Sequence, residues 1–266
     1  MLEIIGQEHL KQTFKDMKEL PPLTILLGPK GSGKTLFSKY VTQLHGYAYI
    51  IVNNKINDIR QMIDETVALD VPTVYYISDA DNLTLQASNA MLKISEEPPK
   101  NLHIIMGLSS TENTLATIVS RAKVFRMDNY TRKHLEQYGV TDERLINCAN
   151  NIGEVITYQN MDFDKAYNFT QLVYNNILKV NTGNSFKVAN SLSFKADDKA
   201  GIPVELFFNM FLEVLRTQIN KRETDIRIIH DMIKFTLQAK HDVNRKGANK
   251  RLVFDMFILN IRTLRG

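Results

Sequence analysis

Gly28-Pro29-Lys30-Gly31-Ser32-Gly33-Lys34-Thr35 joins two patterns of different period. Before it, Leu23 to Leu27 is continuously apolar and bounded by proline and glycine, which suits a strand buried on both faces of a parallel sheet. After it, from Thr35 to Leu44, apolar residues recur at helical spacing. A strand, a glycine-rich turn and a helix in that order fit the eight-position phosphate-loop pattern. Gly28, Pro29, Lys30, Gly31, Ser32 and Gly33 would form a cradle of backbone N–H groups, and the helix N-terminus would add its dipole. Lys34 would reach the β- and γ-phosphates, and the Thr35 hydroxyl would help hold Mg²⁺. The expected ligand is a nucleotide, with ATP and Mg²⁺ as cofactors.

Outward from the loop, the buried-strand signature repeats at Ala48 to Val52, Thr73 to Ile77 and Leu102 to Leu108. Helix-like stretches separate these runs, Asn57 to Leu69 (with Asn57 as its expected cap) and Leu85 to Ile94. Strands alternating with helices predict a parallel α/β sheet with helices on both faces, to about residue 128. From Thr131 onward no strand pair is expected. Leu206, Phe207, Met210, Phe211, Val214 and Leu215 make one helical face, and Ile226, Ile229, Met232, Ile233 and Leu237 another. Turn-prone segments at Asn181–Ser185 and Asp197–Pro203 separate them.

Composition excludes several classes. With 44% hydrophobic and 23% charged residues in 266, the chain is neither disordered nor fibrous. One cysteine, Cys148, leaves no internal disulfide and no multi-cysteine zinc site, and it reads as a buried small hydrophobe. His45, His103, His134, His230 and His241 show no paired spacing with acids or with Cys148. No apolar run reaches the roughly 20 residues that span a bilayer, and Met1-Leu2-Glu3-Ile4-Ile5-Gly6 lacks a signal-peptide pattern. A soluble, cytoplasmic protein without a membrane partner is expected. The net charge is +4, but the 12 basic and five acidic residues from Arg216 to Gly266 give that region an excess of seven. Such an excess is most simply solvated surface.

Hydrolysis needs more than a cradle: an acid at a strand end to hold the metal, and a group to orient the attacking water. The candidate strand, Val74-Tyr75-Tyr76-Ile77, is followed by Ser78-Asp79-Ala80-Asp81, so the residue directly after it is no acid. Asp79 and Asp81 are available, either for that work or as caps of the next helix.

The stretch from Ser78 to Thr84, running into Asn89-Ala90-Met91-Leu92-Lys93-Ile94-Ser95-Glu96-Glu97-Pro98-Pro99, resembles the AAA+ subunits of sliding-clamp loaders, closest to the delta-prime class of bacterial DNA polymerase III. Ile5-Gly6-Gln7 resembles the segment that lies along the purine, and Thr117-Ile118-Val119-Ser120-Arg121 resembles the family's Ser-Arg-Cys segment, with Ala122 in place of cysteine. Asn249-Lys250-Arg251-Leu252 resembles the start of the last collar helix. The resemblance implies an AAA+ P-loop parallel-sheet domain (1–128), a small helical lid (129–161) and an all-helical collar or oligomerisation domain (162–266). It implies Arg121 as a finger acting in trans, Ser109 as the first sensor, and Ile5 at the base. It also implies Arg60 and Lys93 as contacts to the DNA backbone. The implied partners are other clamp-loader subunits in a hetero-pentamer, the sliding clamp and primer–template DNA.

The departures from the family pattern bear on catalysis. Ser78 falls where the family's magnesium-binding aspartate belongs, Asp79 at the catalytic-glutamate position, and Glu154 at the lid-sensor arginine. The four-cysteine zinc module of many bacterial members is missing, which fits a divergent or phage-encoded form. Two readings stay open at this point. One is a nucleotide-binding stator with weak or no hydrolysis; the other is an active ATPase in which Asp79 replaces the missing acid.

Overall fold

The apolar run before the glycine-rich loop is a central strand. In the computed structural model, which describes residues 2–112, 114–177, 192–193, 201–221, 224–245 and 247–264, β1 (Leu23–Leu27) is buried along its whole length. It pairs in parallel with β4 (Leu102–Leu108) on one side and β5 (Lys123–Arg126) on the other. With β2 (Ala48–Val52) and β3 (Thr73–Ile77), the order is β2-β3-β4-β1-β5, every pair parallel. The four strands expected from continuous apolar runs have the expected bounds. β5 is the fifth; its exposed Lys123, Val124 and Arg126 flank a single buried Phe125, so it carries no continuous apolar run. β2 is apolar in sequence yet lies at the opposite edge, where Ile50 and Ile51 are 40% and 52% exposed.

Alternation along the strands supplies two cores. Ile25, Tyr75, Ile77, Ile104 and Met106 pack on one face with Ile59 and Met62 of α3 (Ile56–Glu65) and Met91 and Ile94 of α4 (Leu85–Glu96). Leu26, Val74, Tyr76 and Ile105 pack on the other with Phe14 of α1 (Glu8–Lys15) and Phe37 and Val41 of α2 (Lys34–His45). Asn57 is not the cap of α3: Lys55 precedes the first turn and makes no side-chain cap. The last expected turn tightens to a 3₁₀ turn over Thr66–Ala68, where the Thr66 hydroxyl donates to the Ile63 carbonyl. α4 is capped by Thr84, whose Oγ1 accepts from the Ala87 N–H at 3.2 Å.

Two compact units divide the chain, Met1–Gly139 with Asn151–Glu154, and Val140–Asn150 with Val155–Gly266. The first also holds α5 (Ala116–Val119) and α6 (Arg132–Gln137). The second contains α7 (Glu143–Cys148), most of α8 (Ile152–Gln159), α9 (Phe163–Ile177), α10 (Val204–Lys221), α11 (Ile226–Val243) and α12 (Lys250–Arg262). Its core is aromatic: the ring of Phe207 lies 5.4 Å from Phe254 and 5.7 Å from Phe211, and Phe208 lies 5.1 Å from Phe257. The first expected helical face is buried in full. The second is only partly so, because the buried stripe of α11 runs Ile229, Met232, Thr236, Ala239 and Val243, in alternating steps of three and four. That stripe leaves Leu237 51% exposed, and Ile226, at the helix start, 68% exposed. A two-residue parallel pair, β6 (Leu192–Ser193) with β7 (Ile202–Pro203), is too short to leave a sequence signature. The expected Asn181–Ser185 separator lies outside the described residues, as do residues 197–200 of the other.

Cys148 is buried, and burial, reinforced by the Glu213 carboxylate, pushes its thiol up to about 12. Truncating Phe207 to alanine should cost about 3–5 kcal/mol of stability in urea unfolding. Leu237→Ala, on the outer face of α11, should change it by less than about 0.5 kcal/mol.

Candidate nucleotide-binding site

The loop between β1 and α2 lies at the carboxyl end of the sheet, where open α/β folds bind ligands. Gly31 and Gly33 hold φ of 83° and 85°, left-handed values that a side chain would strain. Five consecutive carbonyls of this loop accept hydrogen bonds from outside its backbone run. Lys34 Nζ donates to Gly28 O at 2.7 Å and Pro29 O at 2.8 Å. Asn151 Nδ2 donates to Lys30 O at 3.1 Å, the Gly153 N–H to Gly31 O at 3.3 Å, and Tyr130 Oη to Ser32 O at 3.4 Å. A planar trans peptide sets N–H opposite C=O, so tying the carbonyls on one side turns amides toward the other. α2 starts at Lys34 behind Gly33 with no side-chain cap, which leaves its first amides and its dipole for an anion. Ser32 Oγ, in a residue 1% exposed, is buried without a partner. A polyphosphate fits this donor set.

The strap that ties the loop down is a short turn far away in sequence. Asn151 is buried; its Oδ1 accepts from the Glu154 N–H at 2.9 Å and its Nδ2 donates to Glu154 Oε1 at 3.2 Å. The turn approaches so closely that a Cβ on Gly153 would lie 2.6 Å from Gly31 Cα. Glu154, at the expected lid-sensor position, is therefore adjacent to the loop, half-buried and carrying a carboxylate.

The acidic groups are distributed unevenly. Ser78, directly after β3, is half-buried. Asp79 is exposed and left-handed at φ 47°, and its carbonyl accepts from Asn54 Nδ2. Asp81 accepts the Ser109 N–H on both oxygens, at 2.9 and 2.8 Å, and the Ser110 N–H at 3.0 Å. The expected sensor Ser109 is thus held by its backbone at the end of β4. Burial lowers the Lys34 ammonium below its ordinary value, opposed by the charges of Asp81 and Asp79. The Thr35 hydroxyl donates to Tyr76 Oη at 3.1 Å. Burial raises the Tyr76 phenol and pushes that of its stacked neighbour Tyr49 up to about 12.

Other expected residues lie apart from the cradle contacts. Ile5 is half-buried next to Gln7, whose side chain bonds both the N–H and the carbonyl of Asp128, just past β5. Arg121 is on the surface, donating to Thr117 O at 2.8 Å and to Glu96 at 2.9 Å. Arg60 on α3 and Lys93 on α4 are exposed on two helices that pack together. Sequence reading missed Asn151, Gly153, Tyr130 and Tyr76. The last sits inside an apolar run, and the strap residues have only the unspecific look of a helix start.

Residues 29–131 match the family described as DNA polymerase III, delta subunit. Two delta' subunits of DNA polymerase III are similar over part of the chain. That of Haemophilus influenzae is 34% identical over 74 residues, 28% of this chain and 23% of that protein. That of Escherichia coli is 33% identical over 86 residues, 32% of this chain and 25% of that protein. The tau subunit of Bacillus subtilis is 27% identical over 163 residues, 48% of this chain and 29% of that protein. The chain thus spans between 23% and 29% of these relatives' lengths. In fold, a Thermotoga maritima protein related to the DNA polymerase III gamma subunit aligns with TM-score 0.51 at 15% identity, over 97% of this chain and 99% of its own. A point mutant of RuvB from the same organism gives 0.51 at 16%, over 94% and 89%. Fold and loop define a P-loop α/β protein, a parallel sheet followed by a helical region. Over residues 29–131 the chain is similar to the DNA polymerase III delta-subunit family, and over shorter stretches to delta' subunits of DNA polymerase III.

The strap is testable by itself. Gly153→Ala would set a Cβ against backbone that cannot yield, and should destabilise the first unit by about 1–3 kcal/mol in urea unfolding.

Proposed function

We propose that this chain is a subunit of a clamp loader that binds ATP, hydrolyses it weakly or not at all, and supplies Arg121 to the nucleotide of a neighbouring subunit while the sliding clamp is loaded onto primed DNA. One observation carries the reading: a fully tied phosphate cradle coexists with Ser78 at the strand end where hydrolysis needs an acid. Asp81 has its oxygens on the Ser109 and Ser110 amides. A carboxylate at Glu154 would repel a γ-phosphate rather than stabilise it. Arg121 supports a role in trans: its ion pair with Glu96 joins side chains 36% and 55% exposed, and such pairs exchange readily. Arg60 and Lys93, exposed on adjacent helices, suit phosphate contacts that follow duplex shape rather than sequence. The partners on this reading are the other subunits of a hetero-pentamer, the clamp and primer–template DNA.

Lys34→Ala should abolish the calorimetric heat of ATP or ADP binding that the unmodified chain gives. Turnover by the isolated chain should be negligible, and Ser78→Asp alone should not restore it while Glu154 stays; robust turnover by the unmodified chain would favour an active ATPase using Asp79. In a reconstituted loader, Arg121→Ala should leave this chain's own nucleotide affinity unchanged. It should reduce the loader's DNA-stimulated ATPase, by up to about 10³-fold at the site it serves, and slow clamp loading. Loading at full rate would make the arginine ordinary surface charge.

A further inference from the structure

The carboxylates that could hold a divalent cation beside a bound phosphate are missing or committed elsewhere. The Thr35 hydroxyl donates to Tyr76 Oη at 3.1 Å and keeps its lone pairs, but a neutral hydroxyl without a carboxylate beside it is a weak ligand. Tyr76 is itself buried and stacked on Tyr49, and a Cβ on Gly107 would lie 2.6 Å from its hydroxyl, so the phenol is fixed between β4 and Thr35. Asp81 directs both oxygens to the Ser109 and Ser110 amides. The strand-end position is the neutral Ser78. Asp79 remains, but it is exposed, and a lone carboxylate in water attracts a cation only weakly. Mg²⁺ in nucleotide sites depends on one or two well-placed carboxylates together with the phosphates. This donor set does not fit it.

The anion side has its donors by contrast: the Lys34 ammonium, which spends two of its three hydrogens on loop carbonyls, the uncapped first turn of α2 and the buried, unpartnered Ser32 hydroxyl. We propose that this P-loop takes a nucleoside di- or triphosphate as the free anion, with no divalent cation held by the protein, because no well-placed carboxylate is left to hold one beside the phosphates. The proposal rests on the nucleotide-binding reading above. It departs from the Mg²⁺ expected at Thr35. A site that holds the cation loses affinity when the cation is removed. Here the free nucleotide offers more negative charge to Lys34 and the helix N-terminus, so affinity should hold or rise.

The test is calorimetric titration of the full chain with ATP and with ADP, once in excess MgCl₂ and once in EDTA. Affinities in the two buffers should agree within about threefold, or favour EDTA. The variant Ser78→Asp, its folding checked by thermal unfolding, supplies the missing acid. It should bind about tenfold tighter in Mg²⁺ than in EDTA. A tenfold or greater loss of unmodified affinity in EDTA overturns the proposal alone; if Asp79→Asn then removes that loss, Asp79 is the ligand. No heat in either buffer overturns the nucleotide reading and this proposal together.

Discussion

The cradle depends on where its carbonyls go. A loop of eight residues rich in glycine has many conformations, and only one points its amides at a common centre. Here the choice is fixed by hydrogen bonds on the opposite side of the same peptides: Lys34 holds Gly28 and Pro29, Asn151 holds Lys30, the Gly153 amide holds Gly31, and Tyr130 holds Ser32. The ordering entropy of the loop, roughly 1–2 kcal/mol per residue, is thereby met in folding rather than at binding. Pre-ordering of this kind lowers the cost of association. The same constraint explains why two glycines face each other across the strap: at Gly31 and Gly153 the backbones meet with no room for a Cβ.

The acidic side of the site is organised for structure. Asp81 acts as a cap for the chain as it leaves β4, with charge-assisted bonds to two successive amides. That role and metal binding compete for the same lone pairs. The loop has kept what binds an anion, while its surroundings have taken what would handle a cation.

How much of this was legible in the sequence follows from the range of each interaction. β1, β3 and β4 are readable to the residue because a strand covered on both faces is apolar at nearly every position, as Leu23–Leu27 and Thr73–Ile77 are apart from Thr24 and Thr73. The same rule misleads at β2, whose apolar residues lie at a sheet edge, and is silent on β5, where only Phe125 is buried. The phosphate loop is legible because its ligand chemistry is local. Its strap is not: Asn151 meets Lys30 across 121 positions, and an asparagine before a helix looks like any other start. Leu237 and Ile226 fail for a subtler reason, because Thr236 and Ala239 occupy the buried stripe that their apolar side chains seemed to claim.

Arg121 illustrates how a weak contact can serve a strong one. Its guanidinium rests on Glu96 and on the Thr117 carbonyl, so it has a defined direction without being buried. An exposed pair of this kind is worth about 0–1 kcal/mol, since water screens both charges. A polyphosphate presented by a neighbouring chain carries more charge than one carboxylate, in a site with less water, and can accept two parallel N–H bonds from the same fork. On the function proposed above, the exchange of Glu96 for phosphate would be downhill, and the bond to the Thr117 carbonyl would already have met part of the cost of ordering a long side chain. A lysine at this position would lack the fork. The residue type, its resting partner and its exposure therefore suit the proposed role in trans, since the arginine would give up little on leaving.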